Sequence, residues 1–131
     1  MKRHPALVDL SRDHYKALKW ARDAGLAART GDPAQIEAVA GQVVEAFASE
    51  FLPHFQTEEA GILGLLARAG ERDLVERALS DHADLRAIAT ALEAPDAQTL
   101  QRFSERMAAH VRFEERQLFE AAQRYLESSA N

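Results

Sequence analysis

The sequence predicts an all-α fold, an antiparallel up-down-up-down four-helix bundle, and three observations support this prediction. Ala, Leu, Glu, Arg and Gln fill the long intervals between a few Gly and Pro residues, as helices prefer. Within each interval, apolar residues recur at the three- and four-residue spacing of an amphipathic helix. The connections between the intervals are short, so neighbouring helices are expected to run antiparallel.

The first two helices are delimited by turn and capping residues. The first is predicted over about 7–29 and ends at the sequence TGDP, where Asp32 suits an N-cap and Pro33 the first helical position. The second is predicted over about 33–69. Pro53 should bend or interrupt it, because proline removes a backbone hydrogen bond inside a helix.

The last two helices have similar signals at their ends. Gly70 is expected to provide a left-handed C-terminal cap for the second helix, and the third is predicted over about 71–93. The sequence APDAQ breaks the third helix, and the fourth is predicted over about 97–126.

Length and composition limit the classes of protein that fit. A chain of 131 residues with 47% apolar content predicts a single domain over 1–131 with one core. No cysteine is present, which excludes disulfides, thiolate zinc sites, iron–sulfur clusters and a cysteine nucleophile. The net charge of −5 and the scattered basic residues argue against nucleic-acid partners. Because no signal-like segment or apolar run of membrane-spanning length occurs, no membrane partner and a cytoplasmic location are expected.

Histidine and glutamate interrupt the apolar stripe of each predicted helix, on the face that should turn inward. The first two stripes are Leu7, Leu10, His14, Leu18, Ala21 and Phe47, Phe51, His54, Glu58, Ile62, Leu65. The other two are Val75, Leu79, His82, Leu85, Ala89 and Leu100, Phe103, Met107, His110, Glu114, Leu118. Four histidines and two glutamates are therefore predicted to point into the bundle.

These six residues are also predicted to lie at one level along the bundle. Residues equally distant from a turn face each other in two antiparallel helices. Glu58 and His82 are each 12 positions from Gly70, and His82 and His110 are each 14 positions from Asp96. The midpoint of His14 and His54 falls beside the first turn. The six side chains should therefore converge.

Six buried polar side chains need a shared partner, because an unpaired buried carboxylate is costly. Imidazoles with carboxylates suit borderline or hard transition metals, and two carboxylates that bridge suit a pair of ions about 3.5–4 Å apart. The predicted ligands are His14, His54, Glu58, His82, His110 and Glu114. Iron is the expected metal, with manganese or zinc as alternatives.

The sequence leaves two alternatives to this site open and excludes the motifs of two other metal-binding classes. Glu115 replaces Glu114 as ligand if the helix is locally distorted; otherwise Glu59 and Glu115 face solvent or orient a histidine. A metal-free bundle in which histidine and glutamate satisfy one another is the alternative to a metal site. The Glu-x-x-His motif of ferritin-like bundles and the His-Glu-x-x-His motif of zinc peptidases are both absent.

The ordered set of His14, His54-x-x-x-Glu58, His82 and His110-x-x-x-Glu114 resembles the hemerythrin-like, or HHE cation-binding, family over nearly the whole chain. The resemblance implies two iron ions with an oxo or hydroxo bridge. His14 and His54 would serve one ion, His82 and His110 the other, and Glu58 and Glu114 would bridge them.

The resemblance also limits the expected function. Oxygen carriers of the family have a further histidine four positions after the one on the third helix, and Arg86 stands there in this chain. A coordination position is therefore expected to be open on the ion held by His82 and His110. The chain looks more like family members that sense iron or oxygen or that repair iron centres.

Three functions follow from these expectations. The first is a di-iron protein that binds or reacts with dioxygen, peroxide or nitric oxide in sensing, storage or stress protection. The second is an iron-handling or iron-centre repair protein, and the third is a metal-free helical interaction module. Binding or sensing is favoured over catalysis, and a protein partner or homodimer is compatible with each function.

Overall fold

Four long helical segments form a bundle in the computed structural model, which describes residues 2–129. The predicted fold class is therefore confirmed. The first bundle helix is α1 (Pro5–Thr30), and the second comprises α2 (Pro33–Ala46), a π-helical turn called π1 (Phe47–Phe51), α3 (Leu52–Ala60) and α4 (Ile62–Arg68). The third is α5 (Arg72–Ala91), and the fourth comprises α6 (Ala97–Phe113), a second π-helical turn called π2 (Glu114–Leu118) and α7 (Phe119–Ser129). The single domain over 1–131 stays a prediction, and Met1, Ala130 and Asn131 lie outside the described residues.

Capping residues set the ends of these helices at the predicted turns. Asp32 caps α2 by accepting a hydrogen bond from the amide of Ala34 at 3.0 Å, and Asp96 caps α6 by accepting one from the amide of Thr99 at 2.7 Å. Gly70 has the left-handed conformation expected after a helix, with φ of 89°. The chain therefore reverses direction at the predicted positions.

The second bundle helix is interrupted twice. The π1 turn ends two residues before Pro53, and the amide of Leu52 bonds to the carbonyl of Phe47, five residues back. This wider turn accommodates the missing proline N–H before His54 is reached. Gly61 makes the second break, with φ of −111° and ψ of −97°. The predicted second helix over about 33–69 is thus interrupted at Gly61 as well as near Pro53, and a Cβ at Gly61 would approach the carbonyl oxygen of Thr57 to 3.0 Å.

A polar layer divides the hydrophobic core into two clusters. One cluster is built around Phe51, Phe55, Phe103 and Met107, and the other around Leu10, Leu66 and Phe119 at the opposite end of the bundle. Six of the seven buried polar side chains among residues 2–129 form the layer between them: His14, His54, Glu58, His82, His110 and Glu114. The layer is therefore enclosed by apolar packing on both sides.

Two of the residues predicted to line the core are exposed instead. Leu18 is 40% exposed and Leu79 is 44% exposed, so their predicted inward orientation was wrong. The inward positions next to the polar layer are filled by Ala17 and Ala78. Neighbouring residues on a helix point about 100° apart. The apolar spacing alone therefore does not decide whether the leucine or the adjacent alanine faces the core.

Among residues 2–129, no helix is both long enough and apolar enough to cross a membrane.

Candidate metal centre

Five elements, which belong to the four bundle helices, bring the six predicted residues together in the polar layer. His14 lies on α1, His54 and Glu58 on α3, His82 on α5, and His110 near the end of α6. Glu114 is the first residue of π2. All six are at most 7% exposed, and each places a ring nitrogen or carboxylate oxygen in the centre of the bundle.

The ligand atoms form two groups of four that share both glutamates. One group contains His14, His54, Glu58 and Glu114, and the other contains His82, His110, Glu58 and Glu114. Within each group the four ligand atoms lie within 4.8 Å of one another. Each group can therefore hold one metal ion, with two imidazoles and two carboxylate oxygens as donors.

Each carboxylate divides its two oxygens between the two pairs of histidines. Glu114 Oε1 lies 2.9 Å from His14 Nε2 and 3.8 Å from His54 Nε2, whereas its Oε2 lies 3.3 Å from His110 Nε2 and 3.9 Å from His82 Nε2. Glu58 places Oε2 at 3.2 Å from His54 and Oε1 at 3.1 Å from His82. This division of oxygens is the one that a carboxylate bridging two ions requires.

Four outer carboxylates hold the other nitrogen of each histidine. Nδ1 of His14 lies 2.6 Å from Glu115, and Nδ1 of His82 lies 2.7 Å from Glu59. The remaining two contacts are His54 with Asp13 and His110 with Asp81, each at 2.9 Å. Because an ionised carboxylate only accepts hydrogen bonds, each Nδ1 must donate, so that the Nε2 of each imidazole in its neutral form has a lone pair directed at the centre.

Two of these outer partners were missed at the level of sequence. Glu59 and Glu115 were among the residues expected to orient a histidine, whereas Asp13 and Asp81 were not considered. The signal was present, because each aspartate directly precedes a histidine of the centre. Neither aspartate holds its neighbour in sequence; each reaches across to the histidine of the next helix.

The contacts repeat with a near two-fold relation between the two halves of the bundle. Exchanging the first helix with the third and the second with the fourth converts Asp13–His54 into Asp81–His110. The same exchange converts Glu59–His82 into Glu115–His14. The two groups of ligands are therefore held in nearly the same way.

The helical distortion at π2 bears on the choice between Glu114 and Glu115. The π turn begins at Glu114, and the amide of Phe119 bonds to the Glu114 carbonyl five residues back. Glu114 nevertheless points into the centre and is fully buried, whereas Glu115 lies outside both ligand groups and contacts His14 from the outer side. The geometry favours Glu114 as the inner residue and Glu115 as an orienting residue.

Aromatic rings fix the orientation of two imidazoles. Phe55 stacks on His82 with ring centroids 3.9 Å apart, and Phe119 stacks on His14 at 5.2 Å with an interplanar angle of 6°. These rings also shield the centre from solvent, because both phenylalanines are almost completely buried. These two imidazoles are therefore held both by ring stacking and by the hydrogen bond at Nδ1.

The centre attracts positive charge. Burial opposes protonation of His54, but the nearby carboxylates of Glu114 and Glu58, 3.8 and 3.2 Å from its Nε2, outweigh burial and raise its pKa to about 11. The pKa of His82 and that of His110 are each raised to about 9 against the effect of burial, by bonds and charges of the glutamates. Burial likewise opposes ionisation of Glu114, but the charge of His110 and bonds to three histidines hold its pKa well below the usual range.

Four atoms of the centre have no hydrogen-bond partner among the described residues, and this tests whether a cation fits. They are Nε2 of His54, Nε2 of His110, Oε2 of Glu58 and Oε2 of Glu114. An imidazole lone pair facing a carboxylate oxygen is unfavourable unless a cation or proton lies between them. The donor set therefore suits metal ions at these two positions.

Arg86 occupies the position of the additional histidine of the oxygen carriers. Its guanidinium points to Glu59 at 3.3 Å and lies over the Phe55 ring at 5.7 Å from the centroid. Because Glu59 in turn holds His82, Arg86 supports a ligand from outside. Arg3 makes the equivalent contact with Glu115, at 3.1 Å.

A small cavity of about 10 Å³, which is about the size of one water molecule, adjoins the centre. Its polar walls are Asp13, His14, His54 and His110, and its apolar walls are Ala17, Phe51, Phe55, Met107 and Val111. The cavity contacts both histidines of the first pair but not His82. Of the second pair, on which the open position is expected, only His110 borders the cavity.

Comparison with known proteins agrees with the geometry. The family model described as the hemerythrin HHE cation binding domain matches residues 5–122, which contain all six residues of the centre. We found no significant match among curated proteins or among solved structures. Since the match covers most of the chain, and the ordered histidines and glutamates of the motif converge in one buried layer, the protein belongs to the hemerythrin HHE cation-binding family.

Proposed function

We propose that this protein is a non-haem di-iron protein that binds or reacts with dioxygen, peroxide or nitric oxide in sensing, storage or stress protection. The observation that carries the proposal is the division of both buried glutamates between two histidine pairs. His14 and His54 would hold one ion, His82 and His110 the other, and Glu58 and Glu114 would bridge them. An oxo or hydroxo group would form the third bridge.

Bound iron would supply Lewis acidity and one-electron chemistry to a small ligand. The protein's own residues prepare the site for this. The four outer carboxylates keep the Nδ1 protons in place, so every Nε2 lone pair faces the centre. The water-sized cavity beside His14 and His54 has room for a diatomic molecule or peroxide once its walls adjust, and its apolar side excludes bulk water.

The metal-free interaction module is less compatible with this arrangement. In a satisfied polar layer, each buried polar atom would have a hydrogen-bond partner. Four atoms of the layer have none among residues 2–129, and all four belong to residues of the two ligand groups. Stability unchanged by chelation, together with neutral substitution of His14 and His110, would favour the module instead.

One observation favours the alternative of an iron-handling or iron-centre repair protein. The Asp13 side chain, which holds His54, is 49% exposed, so one ligand is supported by a solvent-accessible partner. Easy release of metal would follow from a weakly supported ligand. A protein of this class would lose its iron quickly to a chelator, whereas a sensor or store would retain it.

The first experiment is elemental analysis of protein purified without chelators or an affinity-column metal, with absorption spectra recorded before and after exposure to air. Two irons per chain and bands of an oxo-bridged pair are expected. The absence of bound metal after anaerobic reconstitution with ferrous iron would refute the proposal. One ion per chain would refute the bridged pair but retain a metal site.

A further inference from the structure

The four outer carboxylates differ in how firmly they are themselves held. Arginine binds three of them: Arg3 binds Glu115 at 3.1 Å, Arg77 binds Asp81 at 3.1 Å, and Arg86 binds Glu59 at 3.3 Å. Within residues 2–129, no lysine or arginine nitrogen lies within 4.0 Å of the Asp13 carboxylate. Asp13 is also the most exposed of the four, at 49% against 15–32%. The near two-fold symmetry of the centre is broken at this position.

Asp13 lies where a surface groove meets the cavity beside the centre. The groove runs between the first and second bundle helices, with an outer part of about 440 Å³ and an inner part of about 210 Å³ that share Ser49 and Glu50 as walls. The inner part shares Asp13 and Phe51 with the water-sized cavity, which reaches His54. We call it the entry groove, and its polar side chains include Asp13, Lys16, Asp23, Glu45, Ser49 and Glu50.

The groove carries more negative than positive charge. Four carboxylates line it against two lysines, Lys16 and Lys19. A groove with an excess of one sign of charge raises the local concentration of ions of the opposite sign. Its inner end leads to the 93%-buried His54, whose Nε2 has no hydrogen-bond partner among residues 2–129. The surface charge and the buried lone pair are thus connected by adjoining voids.

We propose that metal ions enter and leave the centre through the entry groove, and that Asp13 is the positioning residue that releases and then secures His54. This inference rests on the proposed metal site. On its outer side His54 is held by Asp13, which no arginine anchors, whereas the other three histidines are held by carboxylates that arginine anchors. His54 is therefore the ligand that an incoming ion meets first.

A second groove leads toward the centre and provides a comparison. It has a volume of about 200 Å³ and lies between the first and fourth bundle helices. Its walls are Ser11, His14, Tyr15, Leu18, Val111 and Glu115, and its surface is mostly apolar. Its one carboxylate, Glu115, is paired with Arg3 at 3.1 Å, so a hydrated cation is attracted less strongly here than in the entry groove, and this groove is not expected to carry metal.

The test is the rate of anaerobic loading of the metal-free protein with Co²⁺, followed by the growth of its visible absorption in a stopped-flow instrument. Release is measured by transfer to excess chelator. In the Glu45→Gln/Glu50→Gln variant, loading should slow by roughly threefold to tenfold at low ionic strength, with a smaller difference at high salt. Glu37→Gln, which removes an exposed charge from the same helix outside the groove, should load at the rate of the unchanged protein.

A steric variant tests the route independently of charge. Ser49 is exposed on the wall shared by both parts of the groove, so Ser49→Trp should obstruct it without disturbing the core. Loading and release should slow by a similar factor, and the final content should stay at two ions per chain. Leu18→Trp, in the second groove, should leave both rates unchanged.

The outcomes separate this inference from the proposed function. If the unchanged protein binds no Co²⁺ or ferrous iron, the metal site itself is refuted. If it binds two ions and the Glu45→Gln/Glu50→Gln variant loads as fast as Glu37→Gln, the entry groove is refuted and the metal site stands. Slower loading of Leu18→Trp, with Ser49→Trp unchanged, would assign the route to the second groove.

Discussion

Removal of metal should destabilise the protein by an amount that follows from the unpartnered atoms of the centre. Four buried atoms, two imidazole nitrogens and two carboxylate oxygens, have no hydrogen-bond partner among the described residues. Each such atom costs about 1–3 kcal/mol, so together they cost about 4–12 kcal/mol when no cation is bound. Protons taken up by the histidines offset part of this cost, and we expect the lower end, about 4 kcal/mol, near pH 7.5.

This free energy converts into a shift of the melting temperature. An unfolding entropy of about 2.1 cal/mol/K per residue gives about 0.28 kcal/mol/K for 131 residues, so 1 kcal/mol corresponds to about 3.6 °C. The metal-free protein should therefore melt about 15 °C below the loaded protein. Differential scanning calorimetry of the chelated and reconstituted samples, each with its metal content determined, measures the difference directly.

Two variants control for effects of the chelator elsewhere. The Glu58→Gln/Glu114→Gln variant lacks both bridging carboxylates, and its melting temperature should not respond to metal or chelator. Glu37→Gln, an exposed substitution, should respond as the unchanged protein does. A protein that binds two ions and yet melts within about 2 °C with and without them would refute the reasoning, because the four atoms would then be satisfied in another way.

Three further predictions concern the centre. Glu114→Gln should reduce the bound metal from two ions to one or none, whereas Glu115→Gln should keep both, and equal losses on elemental analysis would contradict the assigned roles. Asp81→Asn should weaken metal retention by roughly 10–100-fold in chelator competition, because it loosens His110; unchanged retention would remove its orienting role. The pKa of His82 and that of His110, raised from 6.5 to about 9, imply that protonation stabilises the metal-free fold fully below pH 6.5 and that this contribution is lost as pH rises through 9. The melting temperature of the metal-free protein should therefore fall across pH 6.5–9, and that of the loaded protein should stay nearly constant; parallel profiles would contradict this.

The inner residues of the centre could be predicted from the sequence because two observations point to the same residues: their spacing along each helix and their distance from the turns. His54 and Glu58 share a helical face through their four-residue spacing, and so do His110 and Glu114. Counting from Gly70 and Asp96 then placed the helices in register without any knowledge of packing. Both arguments use helix geometry alone, which varies little between proteins.

Two of the outer residues, the break at Gly61 and the rotation of the helices depend on packing and could not be predicted in the same way. Asp13 and Asp81 bind histidines on neighbouring helices, and a pattern along one helix does not reveal which helix lies beside it. The backbone leaves helical geometry at Gly61, where a Cβ would crowd the Thr57 carbonyl, and the exposure of Leu18 depends on how the helices are rotated against each other. Each of these depends on the partners that surround a residue.

The polar layer between the two apolar clusters also fixes how the helices can be aligned. If one helix slid by a single turn, about 5.4 Å, its histidine or glutamate would lie among phenylalanine and leucine side chains of a cluster and lose its partners. Purely apolar helices tolerate such a slip at little cost, because leucine packs against leucine in either alignment. The residues of the proposed metal centre thus also select one alignment of the bundle over its neighbours, which gives the fold a specificity that apolar packing alone does not provide.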